Sequence, residues 1–179
     1  DFYRFYRDKM NCLWANPNAA HLTLAQWEKE GRLAAVVTQN IDGLHQAAGS
    51  KNVFELHGSI HRNYCVECDT FYGPGAVFDS DEPVPHCSCG GIIKPDVVLY
   101  EEGLDSAVVN GAIRSIMEAD VLLVAGTSLT VYPAAGLLRY FHGDALVLIN
   151  RDATAMDDEA DLCIHEPVGK VLEEIRNQI

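Results

Sequence analysis

An α/β fold, a Rossmann-type parallel sheet with a small inserted zinc-binding module, is predicted by three features of the sequence. Short apolar runs suited to buried strands alternate with helical stretches, polar clusters stand directly after the runs, and four cysteines interrupt the alternation in pairs. The expected boundaries are a Rossmann-like domain over residues 1–59 and 97–179, with the module at 60–96.

Residues 1–13 open abruptly in amphipathic helical material, with no cap and no initiating methionine, as a fragment's beginning does. Asn16-Pro17-Asn18 breaks that pattern and supplies an Asn cap, after which Ala20, Leu24 and Trp27 recur at i, i+4 and i+7 until Gly31 stops the helix. A strand over 34–38 follows and delivers Gln39, Asn40, Ile41 and Asp42 into a turn. Residues 44–48 fit a short helix ended by Gly49, and 53–56 a second short strand, which sets a βαβ rhythm. Residues 60–96 break the rhythm with cysteines, four prolines and several glycines. Beyond them, 106–119 is helical with Val109, Ile113 and Ile116 on one face, and 121–125 is an apolar run suited to a strand covered on both sides. A helix over 133–142 with proline in its first turn, strands at 145–149 and 162–165, and a closing helix at 168–175 complete the chain.

Composition bounds the function. With 48% apolar residues among 179 there is core enough for one domain and a small insertion. The 26 acidic against 13 basic side chains give a formal charge of −13, which disfavours direct affinity for nucleic acid or an anionic membrane and favours a basic, lysine-rich substrate segment. No apolar run approaches the roughly 20 residues that span a bilayer, and no signal peptide opens the chain, so a cytoplasmic protein is expected.

Cys65-Val66-Glu67-Cys68 and Cys87-Ser88-Cys89 are separated by 18 residues, close to the spacing of a structural zinc site. Four thiolates complete a tetrahedral Zn²⁺ and leave no open position, so the metal would hold the module together and do no chemistry. The second pair is one residue tighter than usual and His86 stands beside it, which leaves a Cys₃His set as an alternative; unligated thiols or two disulfides are the bland reading. Cys12 and Cys163 read as buried apolar residues.

The chemistry is expected in Thr38-Gln39-Asn40-Ile41-Asp42-Gly43-Leu44-His45 and in Glu55-Leu56-His57-Gly58-Ser59, both at strand ends. Taken alone, Gln39, Asn40 and Asp42 could be ordinary turn formers, and His57 or His45 satisfied hydrogen-bonders. His57 nevertheless suits a proton acceptor at neutral pH, while His45 reads as structural, packed behind the loop. Gly126-Thr127-Ser128 after a buried strand offers N–H groups and hydroxyls to phosphate or ribose oxygens, though alone it is a weak signal.

The QNID and HG segments, the cysteine pairs after them, and Gly126-Thr127-Ser128-Leu129-Thr130-Val131-Tyr132-Pro133-Ala134-Ala135 stand in the order used by the sirtuins, NAD-dependent protein lysine deacetylases of a bacterial type. The resemblance runs over essentially the whole sequence. It implies that His57 is the general base that takes a proton from the cofactor's ribose, and that Asn40 orders the ribose or a water. Gln39, Asn40, Ile41 and Asp42 would line the ribose and nicotinamide pocket, with Ile41 and Asp42 on the departing amide. Gly126, Thr127 and Ser128 would hold phosphate or ribose, Asn150, Arg151 and Asp152 the adenosine ribose, and Val168 would touch adenine. Residues 94–104 would form a wall on which the acetylated peptide adds itself as a strand, with Val98, Tyr100 and Val131 around the lysine stem. The module would be a zinc site at the family's usual place, held by Cys65, Cys68, Cys87 and Cys89.

By the same resemblance, the acetyl oxygen attacks the ribose anomeric carbon as nicotinamide leaves, giving lysine, nicotinamide and O-acetyl-ADP-ribose. Sirtuins that remove succinyl or malonyl groups carry a Tyr followed three residues on by Arg in the first helix; here Tyr3 is followed by Tyr6, and Tyr6 by Lys9, so a neutral acyl group, acetyl first, is expected. The family's opening Gly-Ala-Gly-Ile-Ser loop does not occur in this sequence, and a chain that began at Asp1 would be expected to bind NAD poorly. Two rival readings use the same residues: a non-catalytic module that binds acyl-lysine or ADP-ribose, and a protein ADP-ribosyltransferase.

Overall fold

A computed structural model describes residues 1–129 and 134–178. In chain order its elements are α1 (Phe2–Lys9), α2 (Ala19–Lys29), β1 (Val36–Thr38), α3 (Leu44–Ala48), β2 (Val53–Glu55), β3 (Gly58–Cys65), β4 (Phe71–Tyr72) and α4 (Gly75–Phe78). They continue with β5 (Ile93–Val97), α5 (Ser106–Met117), β6 (Val121–Ala125), β7 (Ala145–Ile149), β8 (Leu162–Ile164) and α6 (Val168–Arg176). Two compact units result, one of Asp1–Asn16, Thr38–Leu44 and Glu55–Leu104, the other of Pro17–Val37, His45–Phe54 and Asp105–Ile179.

In the second unit, α2 starts where Asn18 caps it: the Asn18 carboxamide accepts from the backbone N–H of Ala20 and His21, and the His21 side chain accepts from the Asn18 N–H. The apolar face of the helix, Ala20, Leu24 and Trp27, packs with Ile149, Val171 and Leu172 into a core shared with α6. The Glu28 carboxylate, on the next residue, accepts from the backbone N–H groups of Lys51 and Asn52 and so fixes the start of β2. Between β1 and β2 the N–H of Val36 bonds the carbonyl of Asn52 and that of Leu56 the carbonyl of Thr38; the partners rise together, as in a parallel ladder.

The three-stranded sheet of the second unit is parallel in the order β6-β7-β8, in register Ala125↔Ile149 and Ile149↔Ile164, so three strands end on one edge. The helix expected over 133–142 is 3₁₀ over Ala134–Tyr140, while Pro133 lies outside the described residues. Gly136 in its first turn weakens the α conformation there.

The first unit is built on an antiparallel sheet in the order β4-β3-β5. Helix α1 docks on it through specific bonds: Tyr3 donates to the carbonyl of Ile93 at 2.9 Å, and Arg7 to those of Val77 and Glu82 at 2.7 and 2.8 Å. Tyr6 is 2% exposed and stacks on Phe78, within a core that includes Ile60, Cys65, Val77, Cys87 and Ile93. Among the described residues, no helix is long and apolar enough to cross a membrane.

Candidate active site

His57 sits in the turn between β2 and β3, half-buried. Its Nδ1 is 3.0 Å from the carbonyl oxygen of Gln39. A carbonyl only accepts, so Nδ1 carries the proton, and in the neutral ring the lone pair is on Nε2. The turn itself is pinned: Val98 N–H donates to the His57 carbonyl at 3.1 Å. Gly58 has φ +75°, and a Cβ there would fall onto the carbonyl oxygen of Asp96, so the residue after this histidine must be glycine.

The Gln39–Asp42 loop is held from β3. Besides the His57 contact, Ile60 N–H donates to the Ile41 carbonyl at 3.0 Å and His61 Nε2 to the Asp42 carbonyl at 2.9 Å. Asp42 Oδ1 accepts from Leu44 N–H and starts α3, and the backbone N–H of Asn40 donates to Thr38 Oγ1, which leaves the Asn40 side chain exposed. Ile41 packs on the core of this unit.

Arg62 was not foreseen. Its guanidinium bridges Glu55 at 2.6 Å and Asp96 at 2.7 Å, joining the residue two before His57 to the strand against Gly58. The Glu55 side chain is only 8% exposed, so it depends on this partner. Arg62→Ala is expected to cost roughly 2 kcal/mol in urea unfolding, below the fully buried range because Arg62 keeps a solvent face, and Arg62→Lys to recover only part, since an ammonium lacks the fork. A change under about 0.5 kcal/mol would show the pair to be an ordinary surface bridge.

The nucleotide-binding candidates gather in the second unit. Gly126, Thr127 and Ser128 follow β6, Asn150, Arg151 and Asp152 follow β7, and Val168 opens α6 shortly after β8. All lie beyond the carboxyl edge of one parallel sheet, where such sheets bind ligands. Gly126 (φ +63°) donates its N–H to Ile149, Thr127 Oγ1 accepts from Leu129 N–H, and Asn150 ties its own loop through the Asp152 carbonyl.

Of the substrate-wall candidates, Val98 is half-buried and bonded through its N–H to the His57 carbonyl, Tyr100 is fully exposed, and Val131 lies outside the described residues. His45 packs its ring 4.7 Å from that of His21 on α2.

The four cysteine sulfurs converge within 4.8 Å of one another. Cys65–Cys89 and Cys68–Cys89 are 3.5 Å apart and Cys68–Cys87 is 3.6 Å, near the roughly 3.8 Å edge of a tetrahedron with Zn–S of about 2.3 Å. All six cysteines are free, so the disulfide reading falls. His86 turns to Glu82 at 3.1 Å and is not in the cluster, so the Cys₃His alternative falls with it. The N–H of Cys89 and the Tyr72 hydroxyl pull the Cys87 thiol down to about 6, toward the metal-binding thiolate. Although the Gly91 N–H favours its thiolate, contacts with Cys65, Cys68 and Cys87 push Cys89 up to about 12. Thiolates this close need a cation among them, and the donor set fits one structural zinc ion. Each pair is closed by a left-handed residue directly after its second cysteine, Asp69 (φ +54°) and Gly90 (φ +91°).

Comparison with known proteins agrees. The pattern of the Sir2 family matches residues 1–133. A Clostridium acetobutylicum protein named NAD-dependent protein deacetylase is 60% identical over 176 residues, 98% of this chain and 72% of the relative. A solved structure described as Sir2 with p53 peptide and NAD⁺ superposes with TM-score 0.92 at 39% identity, covering 99% of this chain and 76% of that one. Another, Sir2 with the inhibitor EX-527, 2′-O-acetyl-ADP-ribose and deacetylated p53 peptide, gives 0.90 at 40% identity, covering 99% and 78%. With its histidine turn, glycine-bearing strand ends and four-cysteine centre arranged as described, and its family pattern spanning most of its length, the chain belongs to the Sir2 family.

Proposed function

We propose that this chain is an NAD-dependent protein lysine deacetylase that converts acetyl-lysine and NAD to lysine, nicotinamide and O-acetyl-ADP-ribose. The observation that carries the reading is the His57 Nδ1 contact with the Gln39 carbonyl, which reserves Nε2 as a base. Family membership and relatives named as deacetylases support it.

NAD, when bound, supplies an electrophilic ribose carbon and nicotinamide as leaving group. The chain's residues supply the rest. His57 Nε2 accepts the ribose hydroxyl proton, and Asn40, Ile41 and Asp42 bind and orient ribose and carboxamide, with Gln39 fixing the histidine. Gly126, Thr127 and Ser128 hold phosphate or ribose, Asn150, Arg151 and Asp152 the adenosine ribose, and Val168 the adenine. Val98, Tyr100 and Val131 bind the lysine stem. Cys65, Cys68, Cys87 and Cys89 would hold a zinc ion that would brace the antiparallel sheet and take no part in the reaction. A neutral acyl group suits the site: Tyr6 is buried, and the Arg7 guanidinium is already engaged by the backbone carbonyls of Val77 and Glu82. The acidic net charge favours a basic acetylated segment, and a four-thiolate metal set suits a reducing compartment such as the cytoplasm.

Incubating the chain with an acetyl-lysine peptide and NAD and weighing the peptide tests this. Loss of about 42 Da with release of nicotinamide is expected. Gain of an ADP-ribosyl mass would make the chain a transferase, and an unchanged peptide would leave a binding module.

A further inference from the structure

The geometry points to His61 as a positioning residue for the loop that faces the nicotinamide, an inference that rests on the deacetylase reading. Strand β3 does not run in step with β5: Ser59 opposes Asp96, yet Asn63 opposes Pro95, so Ile60, His61 and Arg62 bulge out of the ladder. Bulges re-aim side chains and are common beside active sites. All three bulged residues are used. Ile60 gives its N–H to the Ile41 carbonyl, Arg62 goes to Glu55 and Asp96, and His61 Nε2 donates to the Asp42 carbonyl at 2.9 Å.

A second contact locks the same ring. Gly43 has φ +70°, and a Cβ on it would lie 2.7 Å from His61 Cδ2, so the imidazole lies flush against the Gly43 Cα. From the β2–β3 turn and from β3, then, His57 holds the loop's first carbonyl and His61 its last, with Ile60 between them. The Asn40 and Asp42 side chains are thereby presented by a backbone whose carbonyls are tied on the other side. His61 itself does not act on substrate; it acts through the Asp42–Gly43 peptide.

Two substitutions separate donor from ring. His61→Phe keeps a ring against Gly43 but removes the N–H, while His61→Gln restores a donor without the ring. His61→Phe is expected to raise the KM for NAD and the nicotinamide concentration for half inhibition by about five- to tenfold, the worth of one hydrogen bond. The peptide KM and zinc content stay unchanged, amide exchange over residues 40–43 accelerates, and His61→Gln recovers most of the loss. Unchanged NAD and nicotinamide constants in an active His61→Phe enzyme would overturn the role of His61 alone. A parallel rise of both KM values with a lowered Tm would overturn it too, in favour of plain structural support. A wild-type chain without turnover would overturn the deacetylase reading and this role with it.

Discussion

His57→Ala is expected to lower kcat/KM by about 10²–10⁴-fold, while zinc content and Tm stay close to wild type. The loss is large because the histidine does two things that alanine cannot. Its Nδ1 is committed to the Gln39 carbonyl, which fixes both ring orientation and tautomer, and its Nε2 is the basic atom so oriented. The stability cost is small because the ring is half-buried and makes one neutral hydrogen bond, worth about 1 kcal/mol net. The turn is held independently of the ring, by Val98 N–H on the His57 carbonyl and by the Gly58–Val97 pairing, and both survive in alanine. Steady-state kinetics with thermal melting and zinc analysis checks this. A variant that melts far below wild type and loses zinc would show His57 to be a structural residue, and the assignment of the base would have to move.

The polar clusters after apolar runs were legible because the ligand-binding end of a parallel strand need not be apolar. The expected cover on both sides of 121–125 was not met, since β6 is an edge strand that leaves Val121 and Ala125 exposed. The cysteine pairs were legible because tetrahedral ligation imposes spacing on any backbone that supplies four thiolates. What the residues do through their main chain was hidden. Gln39 reaches His57 by its carbonyl, an atom every residue has, so no side-chain pattern could announce that contact. The bulge at Ile60–Arg62 was hidden for a related reason: alternation along β3 is broken there, and without register the partners of His61 and Arg62 cannot be assigned. The docking of α1 on Ile93, Val77 and Glu82 is likewise long-range, with separations of 90, 70 and 75 residues that sequence periodicity does not encode. The tight second cysteine pair, irregular as a spacing, becomes regular in three dimensions once Gly90 takes the left-handed conformation that Asp69 takes after the first.

Cys65→Ser is the complementary case, with a structural effect in place of a chemical one. Cys65 is fully buried at the end of β3, its sulfur 3.5 Å from that of Cys89. A serine hydroxyl stays protonated and is a poor zinc ligand, so the site loses one of four bonds. Structural zinc contributes on the order of 10–16 kcal/mol in small domains, comparable with the roughly 5–15 kcal/mol that holds a whole domain folded. The expected result is zinc content falling from about one per chain toward zero, with amide exchange rising sharply over residues 58–97. Protection in the α2–α6 core should be retained, since Ala20, Ile149, Val171 and Leu172 make no use of the metal. Cys163→Ser is the control: its sulfur bonds the Asp157 carbonyl and lies outside the cluster, so zinc should stay. Full metal retention in Cys65→Ser would refute the four-thiolate centre. The consequence reaches the chemistry because β3 has Gly58 at one end and Cys65 at the other. A strand released at its metal end cannot keep the bulge in register, and the loop carbonyls held by Ile60 and His61 go with it. Cys65→Ser should therefore lose turnover although the four-cysteine centre is assigned a structural role, and adding zinc to the serine variant should restore neither protection nor rate.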